Sequence, residues 1–403
     1  MIDRALRKFV MKRWTIKGHK IGTLDILLLL GMTWVGIMMR YACRDVETQD
    51  YTVCFVPWID AFRQRGIEAF RGDIFDYTMP YMTFLYIISK TSYSSLYLIK
   101  IFSSIFDFIL AVLCALIVWE YTHKAKRSYL IYGIFFCLPT VAVNSGLWGQ
   151  CDVIYVTFVV ASFYALIKDK THASMLLYGI AFAIKLQALF VFPFYAYLWS
   201  KKKIKLYQFL YLPAMYMAVS IPALFMGRSL AQILSTYVVQ GNTEPWMLSW
   251  FWPNIYQLFG PMAFWEYYGS AGVTGTLAIL MLLLYFLFKK DVSLDKTSML
   301  KIMLMFAYVV PFFLPYMHER YAYLADALAL ILLFVKPEKF LLPIVMVITS
   351  FVAYTGYLGG ETAVPLPALC FTTAIVVSYL VWQVFTDKPF KDIIRTVTTD
   401  DRR

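Results

Sequence analysis

Apolar runs of about 20 residues follow one another from Thr23 to Thr386, and no other feature constrains the fold so tightly. A helix rises about 1.5 Å per residue, so each run can cross about 30 Å of hydrocarbon. Inside lipid the backbone must satisfy its own N–H and C=O groups, which for runs of this kind means helices. Only 15% of the residues are charged, against about 25% in soluble globular domains. No hydrophilic stretch is long enough to form a separate soluble domain. The sequence therefore predicts an all-α polytopic membrane protein, a single integral membrane domain over residues 1–403. It has a basic tail at 1–22, a first outer loop at 43–77 and a second tail at 387–403.

The net charge of +12 gathers in short loops and at the two ends. That pattern orients membrane helices; it is not a nucleic-acid patch. Arg4, Arg7, Lys8, Lys12, Arg13, Lys17 and Lys20 hold the N-terminus in the cytoplasm, and Lys388, Lys391, Arg395, Arg402 and Arg403 do the same for the C-terminus. Residues 23–42 are long for a signal-peptide core and no Ala-x-Ala site follows them, so they read as a retained first helix. Cys43, Cys54, Cys114, Cys137, Cys151 and Cys370 show no metal-ligand spacing. A Cys43–Cys54 bridge is one pairing open outside the cell; unpaired thiols are the expectation.

Taken in order, Thr23 to Tyr41 crosses outward, and 43–77 is an outer loop holding Asp45, Glu47, Asp50, Asp60, Glu68, Asp73 and Asp76. Within it Phe55, Ile59 and Phe62 recur at helical spacing, which predicts a short amphipathic helix on the membrane surface with Pro57 in its first turn. Residues 78–92 are short for a span and read as a half-inserted outer helix. Leu96 to Trp119 returns to the basic stretch 123–127, Tyr129 to Val143 goes out, and Val153 to Ile167 comes back. Met175 to Trp199 has basic residues at both flanks, so it reads as a hairpin of two short helices with its tip at Lys185-Leu186-Gln187. Leu206 to Met226 leads to a second outer loop, 227–270, whose Trp246, Trp250, Trp252, Trp265, Tyr267 and Tyr268 read mainly as interface anchors. Val273 to Phe288, Met299 to Pro315, 321–335, 340–358 and 366–386 complete about 12 crossings. No period of about 20–50 residues stands out.

Burying an ionised side chain in a span costs roughly 2.5–3.5 kcal/mol, so polar residues near span ends need reasons. This topology puts Asp50, Gln150, Asp152, Lys185, Gln187, Asn242, His318, Glu319 and Arg320 on one side, the outer one. Of four histidines, only His318 falls there. A carboxylate such as Asp50 suits a general base, and Lys, His and Arg suit a phosphate, Arg in bidentate fashion. Nucleotide sugars are absent outside the cytoplasm, so a sugar phosphate used there would ride on a lipid.

At these residues the chain resembles the multipass GT-C glycosyltransferases that use polyprenyl-phosphate sugars. The bacterial GPI-mannosyltransferase-like proteins and the lumenal glucosyltransferases of the asparagine-glycan pathway are the branches it resembles. The likeness spans roughly residues 20–330. Gln49-Asp50-Tyr51 is similar to the family's first-loop acidic motif. Asp76-Tyr77-Thr78-Met79-Pro80-Tyr81 is similar to its Tyr-Pro-Pro segment, with one proline missing. Trp148-Gly149-Gln150-Cys151-Asp152 resembles its outer-turn motif, Lys185-Leu186-Gln187 its Lys-x-Gln element, and Met317-His318-Glu319-Arg320-Tyr321 its His-Glu-Lys/Arg motif. The resemblance implies an inverting hexosyltransferase with Asp50 as catalytic base and Lys185, His318 and Arg320 on the donor phosphate. Gln150, Asp152, Gln187, Glu319, Tyr51 and Tyr77 would bind or orient substrate. It implies no metal and no cofactor; the partners are a polyprenyl-phosphate-linked hexose, a glycan or glycolipid acceptor and membrane lipid, with no nucleic acid.

Plainer readings stand beside these. Asp50 reads also as a solvated loop acid, Gln150 and Asp152 as caps of the helix starting near Val153, Lys185 as a snorkelling lysine, and Glu319 with Arg320 as a structural ion pair. Asp107, inside a span, would pair with Lys100 two turns earlier. A lipid-linked sugar flippase or transporter, and a polysaccharide polymerase or ligase, are the competing functions.

Overall fold

The longest apolar runs become the longest helices. The structure, a computed structural model, describes residues 10, 12–16, 19–73, 75–241 and 246–386. Residues 1–9, with Arg4, Arg7 and Lys8 of the N-terminal basic cluster, Lys17, Asn242, and the tail 387–403 lie outside the described residues. Part of the expected N-terminal tail is ordered: β1 (Arg13–Ile16) and β2 (His19–Gly22) form an antiparallel hairpin that feeds the first helix.

The helices are α1 (Thr23–Ala42), α2 (Val56–Arg65), α3 (Met79–Ser89), α4 (Ser95–Thr122), α5 (Ala125–Phe136), α6 (Asp152–Ile167), α7 (Thr171–Ile184), α8 (Phe192–Ser200), α9 (Tyr211–Phe225), α10 (Leu230–Gly241), α11 (Trp265–Lys289), α12 (Lys296–Phe313), α13 (Tyr323–Val335), α14 (Leu341–Gly359) and α15 (Leu366–Thr386). By length and apolarity seven segments of the described chain can cross a membrane: α1, α4, Leu206–Phe225, α11, α12, α14 and α15. An eighth is α5 taken with Pro139–Trp148, a pair bent by 47°. The bend falls where Pro139 restarts the helix, since a proline restrains the residue before it and has no N–H to donate. The chain is therefore an all-α, multi-pass membrane protein.

Shorter helices fill the middle. α6 and α13 bury most of their side chains, and the largely buried α12 packs on α13. α1 and α11 are only 17% buried and stand at the periphery. The stretch 171–200 is a hairpin, as its basic flanks predict. Lys185 breaks it with extended backbone (φ −152°, ψ 136°), and Tyr178 on one arm stacks on Tyr195 of the other at 4.1 Å. In the loop 43–77, α2 carries Pro57 in its first turn and buries Ile59 and Phe62. α3, at 11 residues, reaches about half the hydrocarbon thickness. α11 starts eight residues before the expected Val273, because Trp265–Gly272 continue the helix beyond the apolar run.

Two expectations are corrected. Asp107 pairs with Arg40, not Lys100; the Lys100 ammonium instead donates to the carbonyls of Cys43, Arg44 and Val46, closing the turn after α1. The loop 227–270 is not simply an anchor. Trp246 and Tyr267 are exposed, but Trp252 is fully buried, and Ser249–Trp250 (β3) pairs in parallel with Met317–His318 (β4). Cys43, Cys114, Cys137, Cys151 and Cys370 carry free thiols.

Candidate functional site

Two π-helical turns bring the first half of the site together. One, Tyr51–Phe55, begins immediately after Asp50; the other, Val143–Trp148, ends at Gly149. Such turns often mark functional positions, because the extra residue re-aims the side chains that follow. Gly149 is left-handed (φ +76°), and a β-carbon there would meet Ile99 at 3.3 Å. That turn points both Trp148 and Gln150 at one oxygen of Asp50. The Trp148 indole N–H donates to Asp50 Oδ2 at 2.9 Å, and the Gln150 amide donates to the same oxygen. The Tyr357 hydroxyl, at the end of α14, donates to Oδ1 at 2.5 Å. Asp50 is thus half-buried and held by three uncharged donors. Among the described residues no Lys, Arg or His lies within ion-pair reach of it.

Asp152 is the opposite case. It is fully buried and sits beside two cations: Lys185 Nζ at 2.5 Å from Oδ1 and Arg320 Nε at 3.4 Å from Oδ2. It is the first residue of α6, one position past the N-cap Cys151, and its carboxylate turns to the two cations. Arg320 also pairs with Glu319 at 2.7 Å, and its guanidinium lies 5.1 Å from the centre of the Trp148 ring. One indole therefore joins the two halves, its N–H on Asp50 and its face toward Arg320.

His318 stands at the rim. Its ring is parallel to Trp250 (3°, centroids 5.8 Å apart) and close to Tyr321 (5.0 Å), and Nδ1 lies 3.9 Å from Glu319 Oε2. Burial, with the charges of Arg320 and Lys185 added, pushes the imidazole well below its ordinary pKa, so it is neutral near pH 7. Glu319 is fully buried; desolvation raises its carboxyl from 4.5 to about 7, against the pull of Arg320.

The remaining expected residues divide. The Tyr77 phenol lies near Cys151 and Asp152, inside an aromatic cluster with Phe55, Trp58 and Tyr81. Its neighbour Thr78 donates to the Ile184 carbonyl at 2.8 Å, tying this segment to the hairpin tip. Gln187 follows at that tip with its buried Oε1 unpartnered by the protein. Tyr51 is not in the cluster's hydrogen-bond network; it is buried, with its hydroxyl 2.9 Å from Ser95 Oγ, and anchors the loop. Gln150 Oε1 and Glu319 Oε2 likewise accept no hydrogen bond from the described residues.

Tyr357 is not singled out by the sequence, and Trp250 reads there mainly as an interface anchor. A tyrosine at the end of an apolar run and a tryptophan in an aromatic loop look like interface anchors. Among the described residues no group of three His, Cys, Asp or Glu side chains is disposed to hold a metal ion. No family model matches this chain, and no curated protein matches it.

Proposed function

We propose that the chain is an inverting GT-C-type hexosyltransferase of about 12 membrane crossings, working at the outer face of the cell membrane with both termini in the cytoplasm. It moves a hexose from a polyprenyl-phosphate carrier to a glycan or glycolipid acceptor. One observation carries the reading: two nearby carboxylates have opposite partners. Asp152 is neutralised by Lys185 and Arg320, whereas Asp50 is fixed by neutral donors only. Environments that separate two carboxylates in this way assign them different tasks.

The acceptor hydroxyl attacks the anomeric carbon, the bond from that carbon to the phosphate oxygen breaks, Asp50 takes the hydroxyl proton and polyprenyl phosphate leaves. Lys185 and Arg320 stabilise the charge gathering on the phosphate, and the neutral His318 donates a hydrogen bond to it. General-base help is worth about 10²–10⁴ in rate, and preorganised charge at the leaving group contributes comparably or more. Two apolar grooves along α11, of 340 and 240 Å³, share Ile279; the second is lined by Phe313, five residues before His318.

The test is transfer by purified protein in detergent, offered a panel of synthetic polyprenyl-phosphate hexoses with a glycolipid extract as acceptor. Release of polyprenyl phosphate that Asp50→Asn abolishes, while donor binding persists, supports the reading. Saturable binding of lipid-linked sugar without turnover, indifferent to Asp50→Asn, points to a flippase instead.

A further inference from the structure

Beneath the site lies a charged network that the chemistry above does not use. Asp107 in α4 is fully buried and accepts from Arg40 Nε at 2.9 Å and Nη2 at 2.7 Å, from Ser145 Oγ, and from Tyr323 OH at 3.3 Å. Arg40, in the last turn of α1, spends its remaining nitrogen on the Gly36 and Phe136 carbonyls at 2.8 and 3.0 Å. Its backbone and stem press on Gly146, where a β-carbon would come within 2.8 Å.

Three of the elements that Asp107 joins lead directly into the site. Arg40 lies ten residues before Asp50. Ser145 belongs to the π-helical turn that ends at Trp148, five residues before Gln150. Tyr323 follows Arg320 by three residues and opens α13. We propose that Arg40 and Asp107 are positioning residues: their directional bonds fix the Asp50 loop, the Trp148–Gln150 turn and the His318–Arg320 loop in register. The catalytic consequence rests on the transferase reading; the structural coupling does not. A buried ion pair is poor evidence of stability, since apolar residues of similar volume often replace one without loss, and setting a unique geometry is its better-attested use.

The experiment follows from that distinction. Arg40→Met with Asp107→Leu removes both charges together, so no lone buried charge remains; Tyr323→Phe and Gly146→Ala perturb the same node without touching the pair. Each variant is compared with the full-length protein by amide hydrogen exchange over 143–152 and 317–323, and by transfer kinetics. With unfolding temperature near wild type, protection is expected to fall in both segments together, and kcat about a hundredfold, as for a displacement of about 1 Å, with donor KM within about threefold. Wild-type protection in both segments of the double variant, or a change in one only, overturns the proposal. If the wild type transfers no hexose at all, the transferase reading fails while the exchange result still decides the coupling.

Discussion

Trp148 and Tyr357 stack 4.9 Å apart with their planes 22° from parallel, and each donates to a different oxygen of Asp50. The two aromatic rings brace each other, so the carboxylate's orientation is set by packing as well as by hydrogen bonds. Residues 98 and 307 positions from Asp50 in the chain thus act on it as one unit.

Tyr357→Phe keeps the stack and removes one donor. A hydrogen bond to a charged group is worth about 1.5–3 kcal/mol, so kcat for hexose transfer should fall about tenfold to a hundredfold, with little change in donor KM. Steady-state kinetics on the purified variant measure this. An unchanged kcat would mean that Tyr357 does not orient the base.

Asp152→Asn leaves Lys185 and Arg320 beside each other with no shared carboxylate. Removing one partner of a buried pair costs about 3–5 kcal/mol, so the variant should lose stability by that order in thermal unfolding. Adding Lys185→Met should recover much of the loss, because one unpaired charge then goes. Donor binding should not recover, since the phosphate has lost an ammonium. Full recovery of both would make Lys185 a structural lysine only.

How far the sequence foretold this depends on the kind of residue. The helices were legible because lipid demands long apolar runs, and the hairpin at Lys185 because basic flanks need one side of the membrane. Asp50, Gln150, Asp152, Lys185 and Arg320, which the sequence reading puts on one side of the membrane, are joined by contacts in the fold. Tyr357 and Trp250 stayed hidden because an aromatic at a span end has the same sequence signature whether it faces lipid or a carboxylate. The Arg40–Asp107 pair stayed hidden because spacing along one helix favours Lys100, and only tertiary packing brings α1 against α4. Tyr51 reads as a site residue from its motif, yet its hydroxyl is committed to Ser95.

The orientation has its own check. Val53, 62% exposed in the first outer loop, and Lys202, exposed after α8, should face opposite sides of the membrane. In a background with Cys43 and Cys54 replaced by Ser, an impermeant maleimide added to intact cells should label Val53→Cys and spare Lys202→Cys until the membrane is opened. The reverse pattern would turn the whole topology over and place the site in the cytoplasm.

Glu319 makes the site sensitive to pH, and the sign follows from its burial. Its carboxyl titrates near 7 when folded and near 4.5 when free. Folding therefore takes up a proton between those values. Stability contributed by this group is greatest below about pH 4.5, falls as pH rises toward 7, and is level above; the span is about 3 kcal/mol at about 1.4 kcal/mol per unit. Binding should move in the same direction. Below pH 7 the neutral Glu319 leaves Lys185 and Arg320 facing only Asp152, a net positive site for the donor phosphate. Above it the fourth charge cancels that excess. A unit charge about 6 Å away at an effective dielectric near 20 is worth about 3 kcal/mol, so donor affinity should weaken at least tenfold from pH 6 to pH 8. Glu319→Gln should hold affinity at its low-pH value across that range and flatten the stability profile between 4.5 and 7. A variant that keeps the wild-type pH dependence of binding would assign the titration to another group.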